Sequence, residues 1–445
     1  MEKMAGKIAV SHREIWRIAL PIMLGNLAQT IITFTDTAFL GHVGALQLSA
    51  SMMAGLYYFV FTTLAMGFAV GIQIFVARRY GEARFDQIGV VFFHGTVFVS
   101  GLGLLLFSVL FFCSGWFMPH LIQSEDIRAY AFEYLNYRQF GIFFVVFNYL
   151  FRSFYVGISR TRVIAFSTLI MAVVNIFLDY TLIFGKLGMP CMGVGGAAVA
   201  SLVAEVCAFC FFWLYTFVTV PESYGLFRIH SLQPALFRNI LTVAFPSMLQ
   251  RLFSFGSWFV FFVFIEKMGG IAIGVSSMVR SVYMVLIIPG IAFASTANTL
   301  TSRIIGEGKA HQVERLLWKI GENSLLSALP LVLLMLAIPM RVAAVFTADM
   351  QLAAAAIPVI HVVAAATVIS ALSMVFFEAV SGTGNTVAAL ALEFGVLVVY
   401  IGYIYLTSKY LPVQYVWMAE WVYNLLIGVV SYYYLRKAKW RRKKV

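Results

Sequence analysis

Two aspartates stand inside apolar stretches where a helix would ordinarily carry no charge. Asp36 lies in ITFTDTAFLGHVG, five residues before Gly41, and Asp179 lies in VNIFLDYTLIFG, six before Gly185. At 1.5 Å per residue each carboxyl sits roughly 8–9 Å inside the end of its helix, so the two share one depth. Asn175 precedes Asp179 by four residues and occupies the same helix face, where its amide can bond a protonated acid or help hold a cation. Asn148 and Ser201, in neighbouring apolar stretches, add an amide and a hydroxyl. Two carboxyls, two amides and a hydroxyl in apolar surroundings are a candidate ion or proton site. Desolvation favours the neutral acid there, and a bound cation favours the carboxylate.

The remaining buried charges read differently. An ionisable group at the centre of a membrane span costs about 2.5–3.5 kcal/mol, so each needs a partner or a task. Arg251 and Glu378 fall in the cytoplasmic third of their spans, and Arg280 and Glu420 in the outer third. Each pair is expected to neutralise itself across helices, the alternative being contact with a substrate. Glu205 and Glu393 receive no assignment. Cys113, Cys191, Cys207 and Cys210 have no metal-like spacing and imply no disulfide framework. No phosphate-binding Walker loop, HExxH or GxSxG is present, which argues against ATP-driven pumping, and no cofactor is expected.

Helices in a bilayer must position these groups. The chain has 445 residues, 62% hydrophobic and 11% charged, with a mean hydropathy of +0.91. So few polar side chains cannot coat a soluble globule of this size. Apolar runs such as Val97–Phe112 and Phe209–Val220 lack the alternation of a membrane strand, which excludes a β-barrel. Cutting the chain at its glycine, proline and charge clusters predicts twelve spans: 14–40, 46–77, 88–115, 128–155, 162–184, 194–219, 238–265, 271–302, 313–346, 352–380, 387–408 and 415–436. The net charge of +12 would raise nucleic-acid binding in a soluble domain. Here 22 of the Lys and Arg residues, among them Lys3, Lys7 and the tail Arg436–Lys444, fall on the side of both termini and only four on the other. That bias predicts cytoplasmic termini and no nucleic-acid partner. The polar N-terminus reads as a cytoplasmic start rather than a signal peptide.

The halves are copies at one fixed offset of 225 residues. Pro21 matches Pro246, Gly44 matches Gly269, Arg78, Gly81 and Glu82 match Arg303, Gly306 and Glu307, and Gly157 matches Gly382. The fold expected is an all-α polytopic membrane protein, with twelve transmembrane helices in two six-helix lobes related by internal duplication. The N-terminal lobe with the cation site is 1–220, a cytoplasmic linker is 221–237, and the C-terminal lobe with its basic tail is 238–445. Such lobes alternate access to a central cleft by rocking. At the same offset Asp36, Asn175 and Asp179 become Phe261, Tyr400 and Ile404, so the acid set is confined to the first half. A demand of the fold itself would appear in both, and function is therefore the better reading. Pro21, inside the first span, removes a backbone hydrogen bond and permits bending below Asp36.

The motifs ALPIML, TDTAFLGHVG, ARRYGE, GISRT and SGTGNT, NIFLDYTLIFG and GVGGAAVAS together resemble the multidrug and toxic compound extrusion (MATE) transporters, over essentially the whole chain. The first-half Asp, Asn, Asp grouping, and the lack of an acid in the middle of the seventh span, resemble the DinF-type branch. The resemblance implies a MATE/MOP-type fold in the cell (inner) membrane. It implies antiport of H+ or Na+ against hydrophobic, often cationic organic compounds. Asp36 and Asp179 would be the coupling carboxylates, with Asn148, Asn175 and Ser201 around them, and Pro21 the bending proline. Two lobes in one chain make a complete pathway, so a functional monomer is expected. Two rivals stand beside this reading: a flippase for a lipid-linked saccharide, which would need several cations for a pyrophosphate, and an intramembrane protease, whose two aspartates must share a proton.

Overall fold

Uninterrupted apolar sequence can satisfy its backbone in a bilayer only by coiling on itself, and helices dominate accordingly. The computed structural model describes residues 10–347, 349–437 and 440, and among them there is no strand. Lys3, Lys7 and most of the basic tail lie outside the described residues. The helices are α1 (His12–Val43), α2 (Ala45–Gly81), α3 (Phe85–Leu121), α4 (Glu125–Arg138), α5 (Gly141–Gly157), α6 (Arg162–Phe184), α7 (Gly193–Thr219) and α8 (Pro234–Glu266). They continue with α9 (Gly270–Leu286), α10 (Ile288–Gly306), α11 (Val313–Ala337), α12 (Pro339–Ala344), α13 (Met350–Gly382), α14 (Thr386–Tyr410), α15 (Val413–Trp417) and α16 (Ala419–Arg436).

Nine of the described helices are long and apolar enough to cross a membrane, and two bent pairs bring the number to eleven. The pairs are α4 with α5, bent by 56°, and α9 with α10, bent by 45°. The twelfth predicted span is the pair α15 and α16, whose longer member holds Glu420, Asn424 and Arg436 within 18 residues. The breaks have local causes. Pro289 and Pro339 sit in the first turns of α10 and α12, where a missing N–H costs nothing. Between α4 and α5 the chain tightens, Phe140 N donating to Tyr137 O and Ile142 N to Gln139 O, each at 3.3 Å. Pro234 likewise opens α8 three residues before the predicted end of the linker, which otherwise holds a 3-10 turn at Glu222–Tyr224. The four cysteines are free.

The chain forms two compact units whose limits do not fall at the linker. One comprises Met1–Met23, Tyr80–Glu82 and Phe245–Val445, the other Leu24–Arg79 and Ala83–Ala244. In the first unit, the start of α1 is held by the C-terminal helices. Glu14 accepts from Arg303 Nη1 at 2.8 Å, Trp16 Nε1 donates to Asn323 Oδ1 at 2.9 Å, and Ile15, Ile18 and Ile22 are buried. Helix α13 is its centre, packed by α9, α10, α11 and α16. Trp417, fully buried, ties α15 to α9 by donating to Ser276 Oγ at 2.9 Å.

In the second unit α6 and α7 make the most extensive helix pair. The glycines of GVGGAAVAS permit it: a Cβ at Gly196 would lie 2.8 Å from the Leu182 carbonyl carbon and oxygen, so only glycine allows this approach. Gly196→Val is expected to push α6 from α7 and destabilise the protein by about 1–3 kcal/mol. A thermal-unfolding scan in detergent checks this, and an unchanged midpoint would mean that the helices separate at no cost.

Candidate functional site

The close packing of α6 on α7 sets Asp179 and Asn175, on one face of α6, against Ser201 on α7. All three lie in the second unit with Asp36 of α1. Asp179 is fully buried and Asn175 is 1% exposed. Asn175 Nδ2 donates to Ser201 Oγ at 3.5 Å, and the Asp36 and Asp179 carboxyls approach closely enough for one, when protonated, to bond the other. The equal depth counted from Gly41 and Gly185 is thus matched by a meeting of the side chains.

This cluster has too many acceptors. Asp36 Oδ1, both oxygens of Asp179 and Asn175 Oδ1 are buried and receive no hydrogen bond from the protein. Buried acceptors without donors cost free energy, and several turned toward one another cost more. A proton or a desolvated cation with oxygen ligands relieves that cost, so the donor set fits the coupling ions expected of it.

Asn148 stands to one side. Its Nδ2 donates to the backbone oxygen of Glu205 at 3.0 Å and its Oδ1 receives no bond, so it fastens α5 to α7 and makes no hydrogen bond to either aspartate. Pro21 is buried within α1, 15 residues before Asp36.

Sequence reasoning missed the adjoining ion pair. Arg138, at the end of α4, donates from Nη1 and Nη2 to the two carboxylate oxygens of Glu205 on α7, at 2.6 and 2.5 Å, and its guanidinium lies 4.2 Å from the Tyr58 ring centroid. Gly141, at the start of α5, makes room, since a Cβ there would stand 2.4 Å from Arg138 Nη1 and 2.5 Å from Glu205 Oε2. Arg138 also acts electrostatically on Asp36. The signal was available, because two opposite charges inside the fourth and sixth spans demand each other.

In the first unit one expected pair forms and the other does not. Arg251 Nη2 donates to Glu378 Oε1 at 2.8 Å, and Asn298 Nδ2 bonds Glu378 Oε2 at 3.1 Å. Arg280 does not meet Glu420. Tyr283, one turn further along α9, and Tyr400 of α14 each donate a hydroxyl to Glu420 at 2.9 Å, filling both of its oxygens. Arg280 instead lies 5.4 Å from the Phe262 ring centroid. Glu393, unassigned from sequence, accepts from Ser254 and, at 3.1 Å, from the Tyr423 hydroxyl.

Known proteins share this arrangement of chain and fold. The MatE family profile matches twice, over residues 21–181 and 246–406, displaced by the 225 residues of the internal duplication. A probable multidrug resistance protein NorM of Agrobacterium fabrum is 31% identical over 206 residues, 46% of this chain and 44% of that protein, so the matched stretch spans less than half of the relative. The probable multidrug resistance protein NorM of Thermotoga maritima is 24% identical over 431 residues, covering 94% of this chain and 89% of its own. Among solved structures, a MATE in complex with MaL6 superposes with a TM-score of 0.89 at 21% identity, over 96% of this chain and 95% of that one, a likeness of fold. With its two halves matched in register by one profile and its whole length following that fold, the chain belongs to the MATE (MatE) family of membrane transporters.

Proposed function

We propose that the chain is a secondary antiporter, exporting hydrophobic and often cationic organic compounds across the cell (inner) membrane in exchange for H+ or Na+. The excess of acceptors at Asp36, Asp179 and Asn175 carries the reading, because it favours a site that takes up and releases a cation. Membership of a transporter family supports it over the protease reading, for which two adjoining carboxyls would equally serve. The confinement of the acids to the first half supports a DinF-type assignment. The ion enters from outside and binds the first-half acids. Coupling requires its occupancy to weaken substrate binding in the outward-facing state, and by linkage substrate weakens ion binding equally. Alternating access, bending of α1 at Pro21, cytoplasmic termini and a functional monomer complete the proposal.

The test is reconstitution of the wild type and Asp36→Asn in liposomes, following ethidium and a second cationic dye under an imposed pH gradient and then a sodium gradient. Wild-type movement under one gradient, lost in the variant, is expected, and the gradient that works names the ion. Unchanged movement in the variant would transfer the coupling role to the second-half acids. No movement of either dye under either gradient would overturn antiport.

A further inference from the structure

Arg152 of α5 carries a charge that the protein leaves unanswered. Arg138 meets Glu205, Arg251 meets Glu378 and Arg280 rests over a ring. Arg152 donates from Nη2 to Asn26 Oδ1 at 2.9 Å, its other close ionisable neighbour is Tyr149, and no carboxylate among the described residues pairs with it. Asn26 does not balance the account, because its own Nδ2 is buried without an acceptor. The cluster is therefore rich in donors and short of acceptors, the reverse of the site at Asp179. Arg152 and Asn26 are both half-buried.

The internal duplication supplies a control. At the offset of 225, Asn26 corresponds to Arg251 and Ser153, the neighbour of Arg152, to Glu378. The equivalent helices, α1 with α5 and α8 with α13, thus each hold a guanidinium between them. In the second copy Glu378 neutralises it within the protein. In the first copy Ser153 stands in the place of that acid and donates to its own helix at Leu150 O, 2.7 Å away. A guanidinium inside a span without a counter-charge is costly and marks a substrate or ion pathway. The planar fork of its N–H groups suits a carboxylate or a phosphate.

We propose that Arg152, with Asn26, is a binding subsite for an oxyanion group, carboxylate or phosphate, on a bound molecule. This rests on the export reading above and deepens it by assigning the residues that would meet an anionic group. A lipid headgroup phosphate offers the same chemistry as a substrate carboxylate.

The experiment uses two probes that differ by one carboxylate: ε-dansyl-lysine, and dansylcadaverine, which keeps the ring and the ammonium. Their binding to the purified full chain in lipid nanodiscs is read by dansyl fluorescence. The wild type is expected to bind dansyl-lysine about 10-fold more tightly than dansylcadaverine, the scale of one charge-assisted contact. Arg152→Gln should remove that preference and leave dansylcadaverine binding unchanged. Asn26→Asp, which places an acid beside Arg152 as Glu378 stands beside Arg251, should do the same in a folded protein.

Equal affinities of wild type and Arg152→Gln for dansyl-lysine would overturn the subsite. So would the same loss for both probes. Adding phosphatidylglycerol to phosphatidylcholine discs separates the sources. A weaker wild-type affinity for dansyl-lysine, absent in Arg152→Gln, supports the subsite with a lipid phosphate as occupant, and no change supports it with substrate alone. Gradient-driven export of dansylcadaverine by wild-type liposomes is scored separately, so that failure of antiport is not mistaken for failure of the subsite.

Discussion

Asp179→Asn is expected to make the protein more stable and to stop ion-driven export. The side chain is fully buried, and neither of its oxygens has a donor from the protein. An asparagine of the same shape brings an N–H2 that can donate to Asp36, and removes one of two adjoining carboxyls. Relieving an unsatisfied buried acceptor is worth about 1–3 kcal/mol, so the midpoint of thermal unfolding should rise. The variant should also lose any stabilisation of the wild type by the coupling ion, because that stabilisation is binding energy. Coupled transport should fall by about 100-fold, the upper range of a typical coupling free energy. Higher stability with retained export would remove Asp179 from coupling. Lower stability with lost export would show only that the variant misfolds, and the acceptor-excess argument would fail with it.

Breaking the pair of Arg138 and Glu205 should produce the largest destabilisation of any single substitution considered. Its side chains are 11% and 10% exposed. Removing one partner from a buried ion pair typically costs about 3–5 kcal/mol, because the other charge is left uncompensated. Arg138→Met leaves Glu205 without its fork of donors, and also removes the cation stacked on Tyr58. The double variant Arg138→Met with Glu205→Met strands no charge and fills similar volume. It should recover most of the loss, since apolar replacements of buried pairs are commonly neutral or better. Thermal unfolding of the two single variants and the double variant measures the interaction directly. A double variant as unstable as either single one would mean that the pair's worth lies in packing rather than charge.

The sequence yields depth far more readily than direction. Each residue advances a helix by a fixed rise, so the shared level of Asp36 and Asp179 could be counted from Gly41 and Gly185, and the structure brings the two together. The duplication was legible for the same reason, since a constant offset survives whatever the helices do in space. What faces what across helices depends on azimuth, which no counting along one chain supplies. Arg280 and Glu420 share a level yet do not meet, because Tyr283 and Tyr400 take the acid's two oxygens. Arg138 and Glu205 meet closely, though nothing in either span alone points one at the other. The bend after Arg138 escaped notice because its 3-10 bonds at Tyr137 and Gln139 leave no proline to mark it.

The division of the chain has a consequence for its synthesis. Helix α1 up to Met23 belongs to the unit completed by Phe245–Val445, whereas the stretch of α8 up to Ala244 belongs to the other. Both limits fall close to the repeat-related prolines, Pro21 and Pro246. The earliest part of α1 to leave the ribosome therefore docks on helices that do not yet exist. Glu14 waits for Arg303, and Trp16 for Asn323. A gene cut at the linker would encode two fragments, each carrying a piece of the other's core, and neither could finish folding until the second was made.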